Sequence, residues 1–145
     1  MLDSLFVAPA ITAIDEALQS ARAAGTLAVV GNAKLATAFA KRTTIVPVGL
    51  SARAAKKLPN ALGDLRSIEA GTLAGVIGVD VTTDDDWEPT LREWARVTRD
   101  GGAIVFVDRG RAAEASRRAL CAGLTELEQR RVGRLVITSG LVTHL

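Results

Sequence analysis

The segment that decides the fold is GVIGVDVTTDDDWEPTLREWARVTRDGGAIVFVD, residues 75–108. It begins inside an apolar run, 73–81, of the kind found in strands that are buried on both faces of a parallel sheet. An acidic stretch at 82–89 leads into a helix predicted over 90–99. A turn at 100–102 then precedes a second apolar strand at 103–108. A strand, a crossover helix and a second strand in this order predict a parallel sheet with helices packed on its faces.

The chain on both sides of this segment continues the alternation of helices and strands. Helices are predicted over 9–24, 33–42, 51–58 and 112–124, and strands over 26–31, 43–50, 125–131 and 134–145. Ser51 is the expected N-cap of the third of these helices. Residues 59–71 are less regular and include a possible short strand at 65–68. The terminal pair, joined at Val132 and Gly133, forms a hairpin that introduces one antiparallel strand.

Composition restricts the class of protein without naming an activity. The 145 residues are 48% hydrophobic and carry a net charge of only +2, which predicts one globular domain over 1–145. The mixed charge and the lack of tyrosine argue against nucleic-acid binding, and no apolar run is long enough to span a bilayer. The N-terminus lacks the basic region of a secretory leader, and Cys121 stands alone, so we expect a cytoplasmic protein with a buried thiol.

The deciding segment also carries a recognisable motif. The residues that match the pattern L-x-E-x-x-R-V-L-x-P-G-G are Leu91, Glu93, Arg96, Val97, Gly101 and Gly102, with Asp100 in place of the proline. In this motif and in the order of its elements, the chain resembles the class I S-adenosylmethionine-dependent methyltransferases. The resemblance covers about residues 10–140. It implies an α/β fold: a three-layer αβα sandwich around a mostly parallel, seven-stranded-type sheet with one antiparallel C-terminal strand.

The resemblance also identifies the positions where the cofactor S-adenosylmethionine would bind. The family's glycine-rich loop after the first strand corresponds here to Gly31 and Asn32, where only one glycine is kept and the acidic position is apolar. Gly31 is either a remnant of that loop or a plain strand-to-helix turn. The family's ribose-binding acid after the second strand corresponds to Gly49. The adenine contact corresponds to Asp64, with a backbone N–H from Leu65, although Asp64 also fits a solvated loop carboxylate.

Candidates for catalysis and metal binding are few. Asp80 ends the apolar strand 73–81, where this family often has a substrate-facing residue, and it could accept a proton or cap the following loop. The three aspartates at 84–86 are better explained by a helix N-terminus than by a metal, so we expect no metal site. His144, the only histidine, is next to the last residue, which argues against a catalytic role.

Two hypotheses for function follow from the resemblance. The reduced cofactor motifs favour a non-catalytic, methyltransferase-like binding, regulatory or subunit-interface module, with a protein partner or a homodimer. The alternative is an active small methyltransferase that acts on a small molecule or a protein side chain, since methyl transfer mainly needs positioning of the two reactants. A cleft that binds a different nucleotide or metabolite is a third possibility.

Overall fold

The computed structural model describes residues 8–144, so the expectation of a missing leader rests partly on residues 1–7, outside the described range. Five α-helices, one short 3-10 helix (Val81–Thr83) and six strands are described. The helices are α1 (Ala10–Ser20), α2 (Ala33–Ala40), α3 (Ala52–Ala55), α4 (Trp87–Val97) and α5 (Ala112–Cys121). The strands are β1 (Leu27–Val30), β2 (Ile45–Val48), β3 (Leu73–Val79), β4 (Thr98–Arg109), β5 (Thr125–Val132) and β6 (Leu135–Leu141).

The described strands form one sheet in the order β2-β1-β3-β4-β6-β5. The pairs β1–β2, β1–β3 and β3–β4 are parallel, whereas β6 runs antiparallel to both β4 and β5. The predicted α/β class and its single antiparallel C-terminal strand are therefore confirmed. Beyond β2, where a seventh strand would lie, the described chain makes only an isolated parallel bridge between Val48 and Leu62.

The short strand expected at 65–68 is wrong. The N–H of Ile68 donates to the carbonyl of Leu65 at 3.0 Å, which closes a turn. The guanidinium of Arg96 then donates to both of these carbonyls, at 3.0 Å to Leu65 and 2.9 Å to Ile68. Because the carbonyls bond to α4 rather than to a neighbouring strand, the segment is held against the helix and cannot extend the sheet.

The hydrophobic core forms two layers, one on each face of the sheet. In β4, Val105 and Val107 face α1 and α2, while Ile104 and Phe106 face α4 and α5. This alternation follows from the two-residue period of a strand, and it explains why the whole run 103–107 is apolar. The layers are those of an αβα sandwich, as predicted.

Local chemistry explains where α1 ends, which is earlier than the predicted residue 24. The N–H of Ala23 donates to Leu18 O at 2.9 Å and the N–H of Arg22 donates to Gln19 O at 3.0 Å. These two bonds form a Schellman closure, with Arg22 at φ 55° in the left-handed position that glycine usually occupies. The helix therefore stops at Ser20, and Gly25 lies in the following loop.

The expectation of a buried Cys121 is also wrong, since its thiol is free and exposed. Helix α5 turns Ala115 and Ala119 toward the core, four residues apart on one face. Cys121 follows Ala119 by two positions, which is more than half a turn around the helix from that face. Burial of the helix therefore leaves the cysteine in solvent.

Glycine in the central strand β3 allows α4 to pack closely on the sheet. A Cβ added at Gly78 would lie 2.0 Å from the indole of Trp94, and one added at Gly75 would lie 2.6 Å from Ala103 O. Trp94 is itself only 4% exposed. The ring therefore fills the space that a side chain at residue 78 would need, and this contact fixes the height of α4 above the sheet.

Replacing Gly78 with alanine should destabilise the protein. The added methyl group overlaps the Trp94 ring, and overpacking of this kind costs about 1–3 kcal/mol, which exceeds the gain from a less flexible unfolded chain. Urea unfolding of G78A measures the loss. The matched control is G63A, because a Cβ at Gly63 meets no atom within 4 Å. Equal midpoints for the two variants would contradict this account of the packing.

Candidate cofactor cleft

A cleft opens at the carboxyl ends of β1 and β2, where parallel α/β sheets usually bind ligands. Its volume is about 440 Å³. Its walls come from three places: the strand ends, the loop before β3, and α4. The lining residues are Val30, Val48, Gly49, Gly63, Asp64, Leu65, Asp86, Pro89, Thr90, Glu93 and Trp94. The fold thus brings Gly49, Asp64 and Leu65 together, whereas Gly31, Asn32 and Asp80 are not among the lining residues.

Gly31 and Asn32 make the connection from β1 to α2. Gly31 has φ +78°, which explains the glycine, and its N–H donates to Val48 O at 2.8 Å. Asn32 is buried, and its Oδ1 accepts the N–H of Leu35 at 3.0 Å, so it is the N-cap of α2. Both groups are bonded within the protein. A helix N-terminus attracts anions through its unpaired N–H groups, and here the chain's own side chain occupies one of them.

Gly49 follows β2, at the position to which the family resemblance assigns a ribose-binding acid. Its φ is +69°, and its N–H donates to Leu62 O at 2.9 Å. A Cβ at this position would have Gly63 O as its nearest neighbour, at 3.9 Å, which is ordinary van der Waals contact. The position therefore has room for a side chain, yet it supplies neither a carboxylate nor an unbonded N–H.

Asp64 lies in the cleft wall but is engaged by its own loop. Its Oδ1 accepts the N–H of Arg66 at 2.9 Å, and its Oδ2 accepts the guanidinium of Arg66 at 2.8 and 3.0 Å. These hydrogen bonds hold the pKa of the Asp64 carboxyl below its usual range. Both side chains are well exposed, so the ion pair adds little to stability. The neighbouring Leu65 is buried, and its carbonyl accepts from Arg96.

Helix α4 supplies the opposite wall. Asp84 lies just ahead of it and accepts the N–H of Asp86 at 2.8 Å and the hydroxyl of Thr90 at 3.1 Å. Asp84 thus bonds at the start of the helix, whereas Asp86, the N-cap residue, makes no side-chain capping hydrogen bond. Glu93 faces the cleft and bonds to Arg96, one turn further on. Asp64, Asp86 and Glu93 therefore give the cleft an acidic rim around an apolar floor that includes Trp94.

Asp80 directly follows β3 and has φ 59°, and its N–H donates to Val107 O at 2.9 Å. It lies close enough to Asp108, at the end of β4, for its charge to act on that carboxyl. Asp108 is 1% exposed, and its Oδ1 accepts both the N–H and the hydroxyl of Thr82, each at 2.8 Å. Its Oδ2 has no hydrogen-bond partner among the described residues. Burial raises the pKa of Asp108 above its ordinary value, against the lowering effect of Thr82.

Asp108 was missed by the sequence reasoning, although one signal for it was present. The clearest apolar strand, 103–107, ends directly in this carboxylate. Five consecutive buried residues identify a strand that is covered on both faces. A charged residue that follows them directly therefore lies at the carboxyl edge of the sheet and is expected to be buried as well. What the pattern could not indicate is that Thr82, 26 residues earlier, provides the two donors.

A basic cluster on α5 braces the loop after β3. Arg118 donates to Val81 O at 2.6 Å and to Asp84 O at 3.1 Å, and its guanidinium lies 5.2 Å from the ring centre of Trp87. Glu114 accepts hydrogen bonds from Arg117 and Arg118, which lower the pKa of Glu114 to about 2. These contacts have a structural explanation, because they tie α5 to the segment that leads into α4.

Across residues 8–144, no three His, Cys, Asp or Glu side chains come together as a metal site. A helix of the length and apolarity needed to cross a membrane is likewise not found in that range.

Comparison with known proteins identifies the fold and no closer relationship. No protein-family model matches the sequence. No curated protein matches it either. Solved structures do match. An O-methyltransferase family protein from Burkholderia thailandensis superposes over 97% of this chain and 57% of its own, with a TM-score of 0.71 and 17% identity.

Two further structures widen the comparison. One is a chain of the complex between the Haloferax volcanii Trm112 methyltransferase activator and a methyltransferase, with a TM-score of 0.69, 13% identity, and coverage of 94% of this chain and 95% of that one. The other is the Thermus thermophilus 16S rRNA N2 G1207 methyltransferase RsmC, solved with AdoMet and guanosine, with a TM-score of 0.65 and 15% identity. This chain covers 36% of the length of RsmC, and RsmC matches 83% of this chain. The fold is that of the class I S-adenosylmethionine-dependent methyltransferases.

The raised pKa of Asp108 predicts a pH-dependent effect of replacing it with asparagine. The stability contributed by a carboxyl whose pKa is raised on folding is complete below the unfolded pKa and is lost as the pH rises through the folded pKa. Asparagine does not ionise and keeps an oxygen acceptor for Thr82. We therefore expect the free energy of unfolding of D108N, relative to the native protein, to increase as the pH rises from about 4 to about 8.

Urea unfolding at several pH values checks this expectation, and D108A separates ionisation from hydrogen bonding. Alanine leaves the buried N–H of Thr82 without its acceptor, which costs about 1–3 kcal/mol. A stability difference between D108N and the native protein that stays constant with pH would refute the role assigned to Asp108.

Proposed function

We propose that this protein is a non-catalytic member of the methyltransferase fold class that acts by binding a protein partner or a second copy of itself. The observation that carries the proposal is the end of β2. Gly49 stands where a ribose-binding carboxylate would be needed, and its N–H is already bonded to Leu62 O. The loop at Gly31 and Asn32 is likewise satisfied internally.

The cleft is open, but S-adenosylmethionine would lack several of the hydrogen bonds that would hold it there. A hydrogen bond to a charged group contributes about 1.5–3 kcal/mol, so losing a bidentate acceptor weakens binding by at least about tenfold. The depleted glycine loop adds to that loss. Asp64 remains at the adenine position, but a cofactor would compete there with Arg66 for the carboxylate. Because of these combined losses, we expect the chain not to bind S-adenosylmethionine at the usual cellular concentrations of this cofactor.

Two further points support a role in binding a protein partner: the expected location of the chain and the known complex of a structurally similar protein. The proposal takes residues 1–145 as one methyltransferase-like domain, working in the cytoplasm, for which the lone cysteine is the support. The structurally similar Haloferax volcanii protein was solved in complex with the activator Trm112, so association of this fold with a protein partner has a precedent. The outer edge of β5 is a second surface on which a partner strand could pair.

An active small methyltransferase, acting on a small molecule or a protein side chain, is the second candidate. A specific observation favours it: a cleft of about 440 Å³ persists at the carboxyl edge of the sheet, with Asp64, Asp86 and Glu93 in its walls. A partner that supplied the missing ribose contact could complete such a site. Asp80, which follows β3 just outside the residues that line the cleft, is then the candidate for the residue nearest the methyl acceptor.

Titration calorimetry with S-adenosylmethionine and S-adenosylhomocysteine distinguishes the two candidates. We expect no binding to the native protein tighter than about 100 µM, the range in which the lost contacts leave at most about 5–6 kcal/mol of binding free energy. The variant G49D restores an acid after β2, at a positive φ that aspartate tolerates. We expect it to bind at least about tenfold more tightly than the native protein.

The matched control is G49N, which has the same shape and backbone tolerance without the charge. G49N should resemble the native protein if the missing charge is the cause. Binding of either ligand to the native protein below about 100 µM would overturn the non-catalytic proposal. In that case D64N and a screen of methyl acceptors become the next experiments.

A further inference from the structure

The charges of this chain are unevenly distributed. Between residues 17 and 63 there are seven cations and no acid, whereas the rest of the chain has eleven cations and sixteen acids. All four lysines of the protein, Lys34, Lys41, Lys56 and Lys57, fall within this segment. The near-neutral total therefore conceals a basic side, formed by α2, α3 and the loops around them.

A groove lies on this basic side, between α2 and α3. Its volume is about 390 Å³. The floor is apolar and includes Ala33, Ala54 and Leu58, and the basic residues that line it are Lys34, Arg53 and Lys57. A second depression of about 430 Å³, along the outer edge of β2, shares Leu58 with the groove and so extends the surface.

Within residues 8–144, the three cations of the groove form no ion pair. Lys34, Arg53 and Lys57 are all exposed. Elsewhere the chain pairs its arginines with nearby acids, as in Arg66 with Asp64. Helix α3 itself buries no residue in the core. Helix α3 therefore contributes little to the core and presents cations, which form no ion pair among the described residues, beside an apolar groove. Such a surface is suited to bind another molecule.

We propose that this groove, defined by Ala33, Lys34, Arg53, Ala54, Lys57 and Leu58, is the docking surface for an acidic, amphipathic segment of a protein partner. Carboxylates would face the three cations while apolar side chains cover the floor. Charge complementarity of this kind speeds association and selects the partner. Nucleic acid fits less well, because no aromatic side chain lines the groove to stack on a base, and lysine lacks the bidentate phosphate geometry of arginine.

This inference rests on the proposed binding function and gives that function a surface and a partner chemistry. It concerns residues that do not line the cofactor cleft, since the two sets of lining residues have no member in common. The cofactor titration and the docking experiment can therefore fail independently. Cofactor binding would overturn the non-catalytic proposal and leave the groove untouched, whereas loss of docking would overturn the groove alone.

The probe is a fluorescein-labelled peptide of about 16 residues, with leucine and glutamate arranged so that one helical face is apolar and the other acidic. Fluorescence anisotropy measures its binding to the full chain at low salt. We expect the native protein to bind the peptide and added salt to weaken this binding. The variant K34E/R53E/K57E should weaken binding at least about tenfold, and K34Q/R53Q/K57Q should weaken it less. The replaced residues are exposed and unpaired, so the variants should fold, which circular dichroism and thermal melting check.

The matched control is R92E/R131E/R134E, which makes the same change in charge at exposed positions outside the groove. It should change peptide binding by less than about twofold, apart from the general effect of net charge. Equal weakening by both triple variants, or no peptide binding at all, would overturn the proposal. Tighter binding of a 20-nucleotide oligouridine, lost in K34E/R53E/K57E, would assign the groove to nucleic acid instead. A dimer in sedimentation that this variant dissociates would assign it to a second copy.

Discussion

The contact between Trp94 and Gly78 determines how closely helix α4 packs against the central strand β3. Strand β3 is the centre of the sheet, and the absence of a side chain at residue 78 lets the indole rest directly on its backbone. Helix α4 is consequently held close to the sheet, with Thr90 and Glu93 along the cleft. The guanidinium of Arg96, on the same helix, then holds the carbonyls of Leu65 and Ile68. This packing contact thus helps to position two of the three walls of the cleft, α4 and the loop before β3.

The chemistry of that cleft depends on which polar groups the fold has already used. A cofactor with a ribose and an anionic end requires N–H donors and a carboxylate at the strand ends. Here the N–H groups of Gly31 and Gly49 complete the sheet and its flanking bridge, and Asn32 caps α2. The remaining acids of the cleft, Asp86 and Glu93, are on the helical wall. Six strands of the class's sheet are present among the described residues, and these polar groups at the strand ends are hydrogen-bonded within the protein.

Charged residues are distributed unevenly between two regions of the molecule. The half that contains β3, α4 and α5 is rich in ion pairs, and its arginines brace the loop after β3 through Trp87, Glu114 and backbone carbonyls. The half around α2 and α3 has cations without acids. In the second region Arg42 pairs with Asp15, whereas Lys34, Arg53 and Lys57 take part in no ion pair among the described residues.

The amino-acid sequence by itself determined the class of fold, because the short apolar runs at 73–79 and 103–107, each followed by an aspartate, are typical of buried strands, and the predicted helix between them provides the crossover. It also determined the cap at Ser51 and the absence of a carboxylate after β2. Only the tertiary structure decided that residues 65–68 form a turn, that Asp108 meets Thr82, and that the cations of α2 and α3 share one groove. The physical reason is distance along the chain: a periodic pattern reports which face of an element is buried, whereas the partner of a polar group is chosen by elements that lie tens of residues away.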